Sequence, residues 1–214
     1  MGVDTATKLA SITKRSKRLP QGKITSLAYL LNKDYLMQCY RELKKGKAAG
    51  IDRRTLESYT DEEMEEVMES TVWKMKNKKY RPKPVKRVEI KKANGKIRPL
   101  GIPTVREKTV QQGIKKILEA IYEPIFLDMS YGFRPNRSCH QALKAVHTMV
   151  MIKPINWIID VDIKGFFDNV DHSWMIECLN QKIADPNFRS IIIKFLKAGV
   201  IEEGKYKKTE KGTP

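Results

Sequence analysis

Four aspartates lie within twelve residues, and their spacing could support metal chemistry: Asp160, Asp162, Asp168 and Asp171. The first two end an apolar run that predicts a buried strand over 155–162. Because they are two residues apart, Asp160 and Asp162 would share one face of that strand. A carboxylate at the end of a buried strand must be solvated, paired or metal-bound, and such oxygen ligands suit Mg²⁺. The spacing therefore predicts a Mg²⁺ site with Asp162 as the first candidate ligand and Asp160 as the second.

The other two aspartates have a structural explanation. Asp171 stands directly before a predicted helix and fits an N-cap, whereas Asp168 fits a turn. A metal-dependent nuclease is an alternative for the four carboxylates together, although nucleases usually use more acidic or histidine ligands than this cluster offers.

Basic residues are in large excess. The chain has 42 Lys and Arg residues against 25 Asp and Glu, a formal net charge of +17. Residues 71–99 concentrate this excess, with 12 basic side chains, one acidic side chain and the aromatic residues Trp73 and Tyr80. The excess predicts a polyanionic partner, with nucleic acid ahead of an acidic membrane surface. A lysine-rich run can be a solvated face, but basic residues interleaved with aromatic ones suit a phosphate backbone with stacked bases.

Cysteine usage and hydropathy exclude several classes of protein. The three cysteines, Cys39, Cys139 and Cys178, form no C-x-x-C pair, which excludes a disulfide framework and a four-cysteine zinc site. No apolar run is long enough to span a membrane, and the basic N-terminus has no apolar signal core. The sequence therefore predicts a cytoplasmic protein with no membrane partner.

The elements expected to position these residues do not alternate regularly between strand and helix. Asn94-Gly95 between two apolar runs predicts a tight β-hairpin over 86–103. Capping pairs predict three helix starts, at Thr60–Glu63, Thr104–Glu107 and Ser138–Gln141. The remaining patterns predict helices over about 24–45, 61–77, 105–123, 138–152, 172–183 and 187–198, and a last hairpin over 200–209. This order is typical of an α+β fold.

The segment from Asp160 to His172 resembles motif A of reverse transcriptases, and it is closest to the group II intron-encoded maturase reverse transcriptases. Further segments resemble blocks of the same family in the same order: the extension block at 47–52, the fingers block at 98–104 followed by Gln111-Gln112, and the blocks at 131–143 and 212–214. The resemblance covers about residues 25–214. Agreement among several ordered motifs makes it more specific than any single motif.

The resemblance implies an α+β fold: right-hand polymerase fingers plus an incomplete palm, largely helical, with a fingers β-hairpin and a small antiparallel palm sheet. It divides the chain into a basic N-terminal arm at 1–24, fingers with an N-terminal extension block at 25–125, and a partial palm at 126–214. The partial palm stops before the second catalytic aspartate motif. We therefore expect the chain to be part of a longer protein and to be catalytically incomplete.

The resemblance assigns roles to residues of the metal and sugar sites. Asp162 corresponds to the first catalytic aspartate, a ligand of both Mg²⁺ ions, and the backbone carbonyl of Ile163 is a further ligand. Phe167 corresponds to the bulky residue that excludes a ribose 2′-hydroxyl and so selects dNTPs. Core packing is the alternative for Phe166 and Phe167, and we expect one of them to be buried and the other to face the sugar.

The resemblance also implies contacts to the incoming nucleotide. Lys92 and Arg98 correspond to fingers residues that bind the triphosphate. Lys91 is an alternative to Lys92, because the sequence does not define the hairpin register. Arg134 is assigned to the nucleotide or the template. Cations on a hairpin that closes over a tetra-anionic ligand offset its charge. The expected RNA-binding residues lie in the 47–55 loop and the basic block: Lys47, Arg53, Arg54, Lys74, Lys78, Lys79 and Arg81.

The implied function is that of a bacterial RNA-directed DNA polymerase and intron-RNA-binding maturase, which transfers dNTPs in a Mg²⁺-dependent two-metal reaction. Its partners are group II intron RNA, an RNA template, a DNA primer and dNTPs. We expect this chain to bind RNA without polymerising, because it has no Tyr-Ala-Asp-Asp-type turn. The alternative is a non-enzymatic splicing cofactor that binds intron RNA. An incomplete palm also leaves an unpaired sheet edge, which predicts a homodimer.

Overall fold

A computed structural model describes residues 5–91, 93 and 95–213 of the chain. The helices are α1 Thr5–Arg18, α2 Lys33–Arg41, α3 Asp61–Lys76, α4 Val105–Tyr122, α5 Cys139–Ile152, α6 Phe166–Asn169, α7 His172–Asn180 and α8 Pro186–Leu196. The strands are β1 Val85–Lys91, β2 Ile97–Ile102, β3 Val200–Glu202 and β4 Lys205–Lys207. The α+β class is confirmed, and none of the helices in the described ranges has the length and apolarity to cross a membrane.

The four strands form one mixed sheet in the order β2-β1-β3-β4. The β1–β2 and β3–β4 hairpins are each antiparallel, and they join through a parallel contact in which Val85 lies opposite Val200. Both valines are buried, and the amide of Val85 donates to the carbonyl of Gly199 over 3.1 Å. Both predicted hairpins are present, but they share one sheet, so the antiparallel palm sheet expected from the resemblance is instead one half of a mixed sheet.

Helix α4 lies at the centre of the core. Its buried residues Val110, Ile114, Ile117 and Ile121 recur at helical spacing, and the helix packs against α1 and α2. Gly113 permits a close approach, since a β-carbon at this position would lie 3.2 Å from a leucine side chain that precedes α2. The helix predicted over 105–123 is confirmed, and its apolar face is the surface against which α1 and α2 pack.

The segment expected as a basic N-terminal arm at 1–24 contains helix α1, which is docked on the core. Leu9 packs against the core, and the hydroxyl of Ser16 donates to the carbonyl of Ile121 over 2.5 Å. Ile24 then forms a parallel bridge with Ile183. The apolar side of α1 holds it to the core, while the basic residues near its C-terminal end remain exposed.

The strand predicted over 155–162 is wrong. Residues 154–163 have no regular secondary structure, and most of their apolar side chains are exposed, up to 88% for Trp157. Helix α5, which precedes them, has no buried residue. A strand needs a neighbour that pairs with its backbone and covers its side chains, and the described residues supply none for this segment. An apolar run by itself therefore did not suffice to form a strand here.

The capping box predicted at the start of α4 is replaced by a buried network. Thr104 is the N-cap residue, but its hydroxyl donates to the carboxylate of Glu107 and caps no amide. Glu107 is 1% exposed and also accepts from Arg106 and from the amide of Lys83. These contacts satisfy a buried charge and hold the segment 81–84 against α4. The other two predicted capping boxes are confirmed, Thr60–Glu63 and Ser138–Gln141.

Candidate active site and nucleic-acid interface

A cleft of about 560 Å³ lies between the β1–β2 hairpin and α6. Arg98 of β2 and Phe167 of α6 both line this cleft, although they are far apart in the sequence. The fold therefore brings together the cation expected at a triphosphate and the aromatic ring expected at a sugar. The remaining lining residues are Arg87, Ile97, Pro99, Leu100, Gly101, Phe133, Asp168 and Thr213.

Helix α6 is a single turn that presents Phe167 to the cleft. Gly165 precedes it with a φ of +63°, a left-handed conformation that glycine adopts without steric cost. Phe166 and Phe167 pack edge to face with 5.3 Å between ring centroids, and they are 49% and 58% exposed. We expected one of these rings to be buried, and neither is. Of the two, only Phe167 lines the cleft.

The register of β1 and β2 separates Lys91 from Arg98. Ile90 lies opposite Arg98, and Lys91 lies opposite Ile97. Because successive residues of a strand point to opposite faces, Lys91 and Arg98 project from different faces of the hairpin. Lys91 itself does not line the cleft, which disfavours it as the second triphosphate contact. Lys92, the first candidate, lies outside the described residues.

The guanidinium of Arg134 is engaged within its own turn. Its Nη2 atom lies 2.9 Å from Oε1 of Glu123, and its Nη1 atom donates to the carbonyls of Leu127 and Ser130 over 2.8 and 2.7 Å. The side chain is only 7% exposed. In this structure Arg134 organises the turn that carries Phe133 to the cleft, and its contact with a nucleotide or template stays a prediction.

Asp160 and Asp162 both lie in the irregular, exposed segment 154–163 and not on the walls of the cleft. Among residues 5–91, 93 and 95–213, no three His, Cys, Asp or Glu side chains converge into a metal-binding cluster. The Asp162 carboxylate and the Ile163 carbonyl are oxygen donors of the kind that Mg²⁺ accepts. Two oxygen ligands from one segment fill only part of the octahedral coordination shell of Mg²⁺. The described residues therefore offer part of a magnesium site.

Asp171 is the N-cap of α7, as its position in the sequence predicted. Its carboxylate accepts from the amides of Ser173 and Trp174 over 2.7 and 3.1 Å. The hydroxyl of Ser173, together with these amides, lowers the pKa of Asp171. Asp168, for which a turn was expected, lies in α6 and lines the cleft.

The 47–55 loop is held against the start of α4 by two contacts. The Nζ of Lys108 donates to the carbonyl of Ala48 over 2.8 Å, and burial lowers the pKa of this lysine. At Gly50 a β-carbon would lie 2.7 Å from the amide nitrogen of Thr104, so only glycine fits. The loop is thus fixed beside the segment that follows β2.

The basic residues of this loop differ in their availability to a ligand. Lys47 and Arg53 are exposed. Arg54 stacks 3.6 Å over the ring of Tyr59 and lies 2.8 Å from a carboxylate oxygen of Glu63, so its charge is partly neutralised. Lys47 and Arg53 are therefore better placed than Arg54 to contact a phosphate.

The segment 74–81 forms a basic surface at the end of α3. Lys78, Lys79 and Arg81 are exposed and Lys74 is half-buried. Within the part of the chain that the structure describes, none of the four forms an ion pair with an acidic side chain. An uncompensated cationic surface of this kind suits a polyanion.

One aromatic residue accompanies this basic surface. Trp73 is 53% exposed, and the ammonium of Lys79 lies 5.1 Å from the centroid of its ring. Tyr80 is fully buried in the core and cannot stack on a base. Of the two aromatic residues noted in the sequence, only Trp73 therefore remains a candidate for base stacking.

Arg87, Phe133 and Thr213 also line the cleft, although the sequence analysis assigned them no role there. Arg87 lies in the basic block, and strand pairing places it opposite Gly101, another residue that lines the cleft. Phe133 is fully exposed and has a φ of +56°, which is uncommon for a residue with a β-carbon. Phe133 and Thr213 lie in the segments 131–143 and 212–214 that resemble blocks of the family, but the resemblance assigned neither residue a role.

Comparison with known proteins identifies the class. The sequence profile described as "Reverse transcriptase (RNA-dependent DNA polymerase)" matches residues 90–214, which is more than half of the chain. This range includes β2, α6 and all four aspartates. The chain belongs to the reverse transcriptase family, whose members generally use a divalent metal.

Three similar relatives are named as intron proteins. The chain is 42% identical over 211 residues to the "Group II intron-encoded protein LtrA" of Lactococcus lactis subsp. cremoris, covering 96% of this chain and 34% of LtrA. It is 38% identical over 213 residues to the "Uncharacterized 91 kDa protein in cob intron" of Schizosaccharomyces pombe, and the match covers 97% of this chain and 26% of that protein. It is 39% identical over 132 residues to the "Putative COX1/OXI3 intron 2 protein" of Saccharomyces cerevisiae, and the match covers 61% of this chain and 15% of that protein.

These similarities place the chain with the group II intron reverse transcriptases and maturases, and the family suggested by its motifs is confirmed. The chain spans about a third of the length of LtrA and less of the other two relatives.

Proposed function

We propose that the protein to which this chain contributes is an RNA-directed DNA polymerase and maturase that extends a DNA primer on an RNA template. The observation that carries this proposal is the shared cleft of Arg98 and Phe167, which brings a cation suited to a triphosphate beside an aromatic ring suited to a sugar. Membership of the reverse transcriptase family and the similarity to LtrA support it.

Arg98 and Arg87 give the cleft its positive charge in this proposal. A guanidinium presents parallel N–H donors that match two phosphate oxygens, and it stays charged at any working pH. Both residues lie on the β1–β2 hairpin, and both line the cleft. A dNTP that enters with its triphosphate toward the hairpin would place its sugar toward α6.

Phe167 selects the sugar in this proposal. Its ring is more than half exposed and lies in the cleft. A ribose 2′-hydroxyl would collide with such a ring, and its oxygen would also lose solvation against an apolar wall. The deoxyribose lacks that group and is accepted.

Asp162 and the carbonyl of Ile163 are the residues that would hold Mg²⁺. When bound, the metal activates the attacking oxygen and stabilises the leaving pyrophosphate. The Asp162 carboxylate supplies negative charge on an exposed segment, and the remaining carboxylates would come from outside the described residues. We therefore propose that the chain alone binds RNA but does not polymerise.

A second function is favoured by the basic surface at 74–81. This surface lies on α3 and the turn after it, and none of its residues lines the cleft. A phosphate-binding surface separate from the nucleotide site could bind folded group II intron RNA and act as a splicing cofactor. Both functions can coexist in one protein, because the two sites use different residues.

The test is primer extension on an RNA template with Mg²⁺ and dNTPs. Three proteins are compared: this chain, the full-length protein that contains it, and the full-length Asp162→Ala variant. We expect DNA synthesis only by the unmutated full-length protein, with RNA binding retained by all three. No synthesis by that protein would exclude the polymerase function and favour the splicing cofactor.

A further inference from the structure

Residues 211–213 pack directly against the turn that carries Phe167. The amide of Thr213 donates to the carbonyl of Phe167 over 2.9 Å, and the amide of Gly212 donates to the carbonyl of Val170 over 2.7 Å. The Nζ of Lys211 donates to Oδ1 of Asn169 over 2.9 Å. The single turn α6 is thus held at both ends by one short segment from far along the chain.

Gly212 permits this approach in two ways. Its φ is +76°, a conformation that side chains disfavour. A β-carbon at this position would also lie 2.7 Å from the carbonyl oxygen of Asp168 and 2.9 Å from that of Phe167. Because both atoms belong to the backbone, neither can give way unless α6 itself shifts.

His172 fixes the same segment from the other side. It is buried, and its Nε2 lies 2.7 Å from the carbonyl oxygen of Gly212. Since a carbonyl only accepts, Nε2 must carry the proton and donate. The peptide around Gly212 is therefore held through its amide by Val170 and through its carbonyl by His172.

We propose that Gly212 and His172 are positioning residues that set the discrimination between dNTPs and ribonucleotides by holding the Phe167 ring in the cleft. The inference rests on the proposed polymerase function. Neither residue needs to touch the nucleotide, since they act through the backbone of α6. Thr213 connects the 211–213 segment to the cleft, because it lines the cleft and its amide donates to the carbonyl of Phe167. A displacement of the α6 backbone would move the Phe167 ring and so change the space left for a 2′-hydroxyl.

The first test replaces Gly212 in the full-length protein. Single-nucleotide incorporation is measured with a dNTP and the matching rNTP, and the ratio of the two kcat/KM values is compared. We expect Gly212→Ala to lower this ratio roughly tenfold, a change typical of a relaxed steric pocket. Gly204→Ala is the matched control, since Gly204 has a φ of +77° but no atom within 4 Å of the added carbon. An unchanged ratio in Gly212→Ala would overturn the proposal.

The second test separates positioning from general stability at His172. His172→Phe keeps the size of the ring but removes the donor, whereas His172→Gln can return an N–H to nearly the same place. We expect the Phe variant to lose discrimination roughly tenfold and the Gln variant to stay within about threefold of the unmutated protein. Equal losses of activity with dNTP and rNTP in both variants would mean that His172 is structural only.

These outcomes also distinguish the inference from the proposed function. An unmutated full-length protein that makes no DNA contradicts the polymerase function itself. An active protein in which Phe167→Ala loses discrimination, while Gly212→Ala and His172→Phe do not, contradicts only the positioning role.

Discussion

Arg98 contributes to the cleft as an exposed cation on β2. In the proposed complex, removing it takes away one of the two guanidiniums available to the triphosphate, and charge-assisted hydrogen bonds to phosphate are among the stronger polar contacts. We expect Arg98→Ala in the full-length protein to raise KM for dNTPs by about tenfold to a hundredfold, and Arg98→Lys to raise it less. Steady-state kinetics on an RNA template measure this change.

Arg18→Ala is the control, because Arg18 is an exposed arginine at the end of α1 and does not line the cleft. A similar rise in KM for both alanine variants would mean that net charge and not the cleft accounts for the effect. An unaltered KM in Arg98→Ala would exclude Arg98 from the triphosphate site.

Phe166 and Phe167 are adjacent and comparably exposed, which makes them a matched pair. Because only Phe167 lines the cleft, we expect Phe167→Ala to lower the preference for dNTPs over rNTPs by at least about tenfold. Phe166→Ala should leave the preference unchanged. Competition assays with dNTP and rNTP test both variants, and the reverse order of effects would assign the sugar contact to Phe166.

Asp185 connects two elements, the turn before α2 and the start of α8. This residue is 6% exposed, and its carboxylate accepts from four amides, those of Leu27, Ala28, Asn187 and Phe188, over 2.7 to 3.1 Å. Asp185→Ala would leave buried amides without an acceptor, so we expect a loss of about 2–4 kcal/mol in the free energy of unfolding. Urea denaturation followed by circular dichroism measures it.

Asp128→Ala is the matched control, because Asp128 is a fully exposed aspartate that bonds, among the described residues, to Arg137 alone. It should change the free energy of unfolding by less than about 1 kcal/mol. Equal losses in the two variants would mean that the amide contacts of Asp185 add no stability.

The same carboxylate makes stability depend on pH. Burial would raise the pKa of Asp185, but the four amide contacts outweigh it and lower the pKa below its ordinary value of 3.8. A group with a depressed folded-state pKa stabilises above its unfolded-state pKa, and this contribution is lost as the pH falls. We expect the free energy of unfolding to fall below about pH 4, and to fall less steeply in Asp185→Asn. Identical pH profiles would contradict this role.

The end of α3 is the element expected to bind RNA. Replacing Lys74, Lys78, Lys79 and Arg81 by Gln should weaken RNA binding and make it less dependent on salt. The slope of the logarithm of the binding constant against the logarithm of the salt concentration should become shallower by about 0.7–0.9 for each phosphate that is no longer neutralised. The matched variant replaces Lys205, Lys207 and Lys208 of the last hairpin, where Lys207 and Lys208 already pair with glutamates. We expect a smaller change there, and equal slopes in filter-binding titrations would contradict the assignment.

At the scale of the whole molecule, one side of the structure is not covered. Helix α5 and residues 154–163 expose apolar side chains such as Met151, Ile152 and Trp157. Exposed apolar surface of this extent favours association, so we expect the isolated chain to self-associate as its concentration rises. Light scattering after size-exclusion chromatography measures the mass, and a monomer at all concentrations would exclude the predicted homodimer.

Several local signals in the sequence predicted local structure correctly, although the capping box at Thr104–Glu107 did not form. The capping boxes at Thr60 and Ser138, the N-cap at Asp171 and the hairpin over 86–103 each depend on residues only a few positions apart. The strand over 155–162 failed because a strand also requires a partner that sequence spacing does not supply.

The sequence by itself determined the class of the protein, its basic character and the choice of Arg98 and Phe167 as candidate contacts to the triphosphate and the sugar. This was possible because motifs and charges depend on single residues and short spacings. Only the tertiary structure decided that these two residues share a cleft, that Lys91 and Arg98 project from opposite faces, and that Gly212 contacts the backbone of α6. These facts depend on strand register and on the meeting of distant segments. Such segments meet by packing around a common core, which no local pattern encodes.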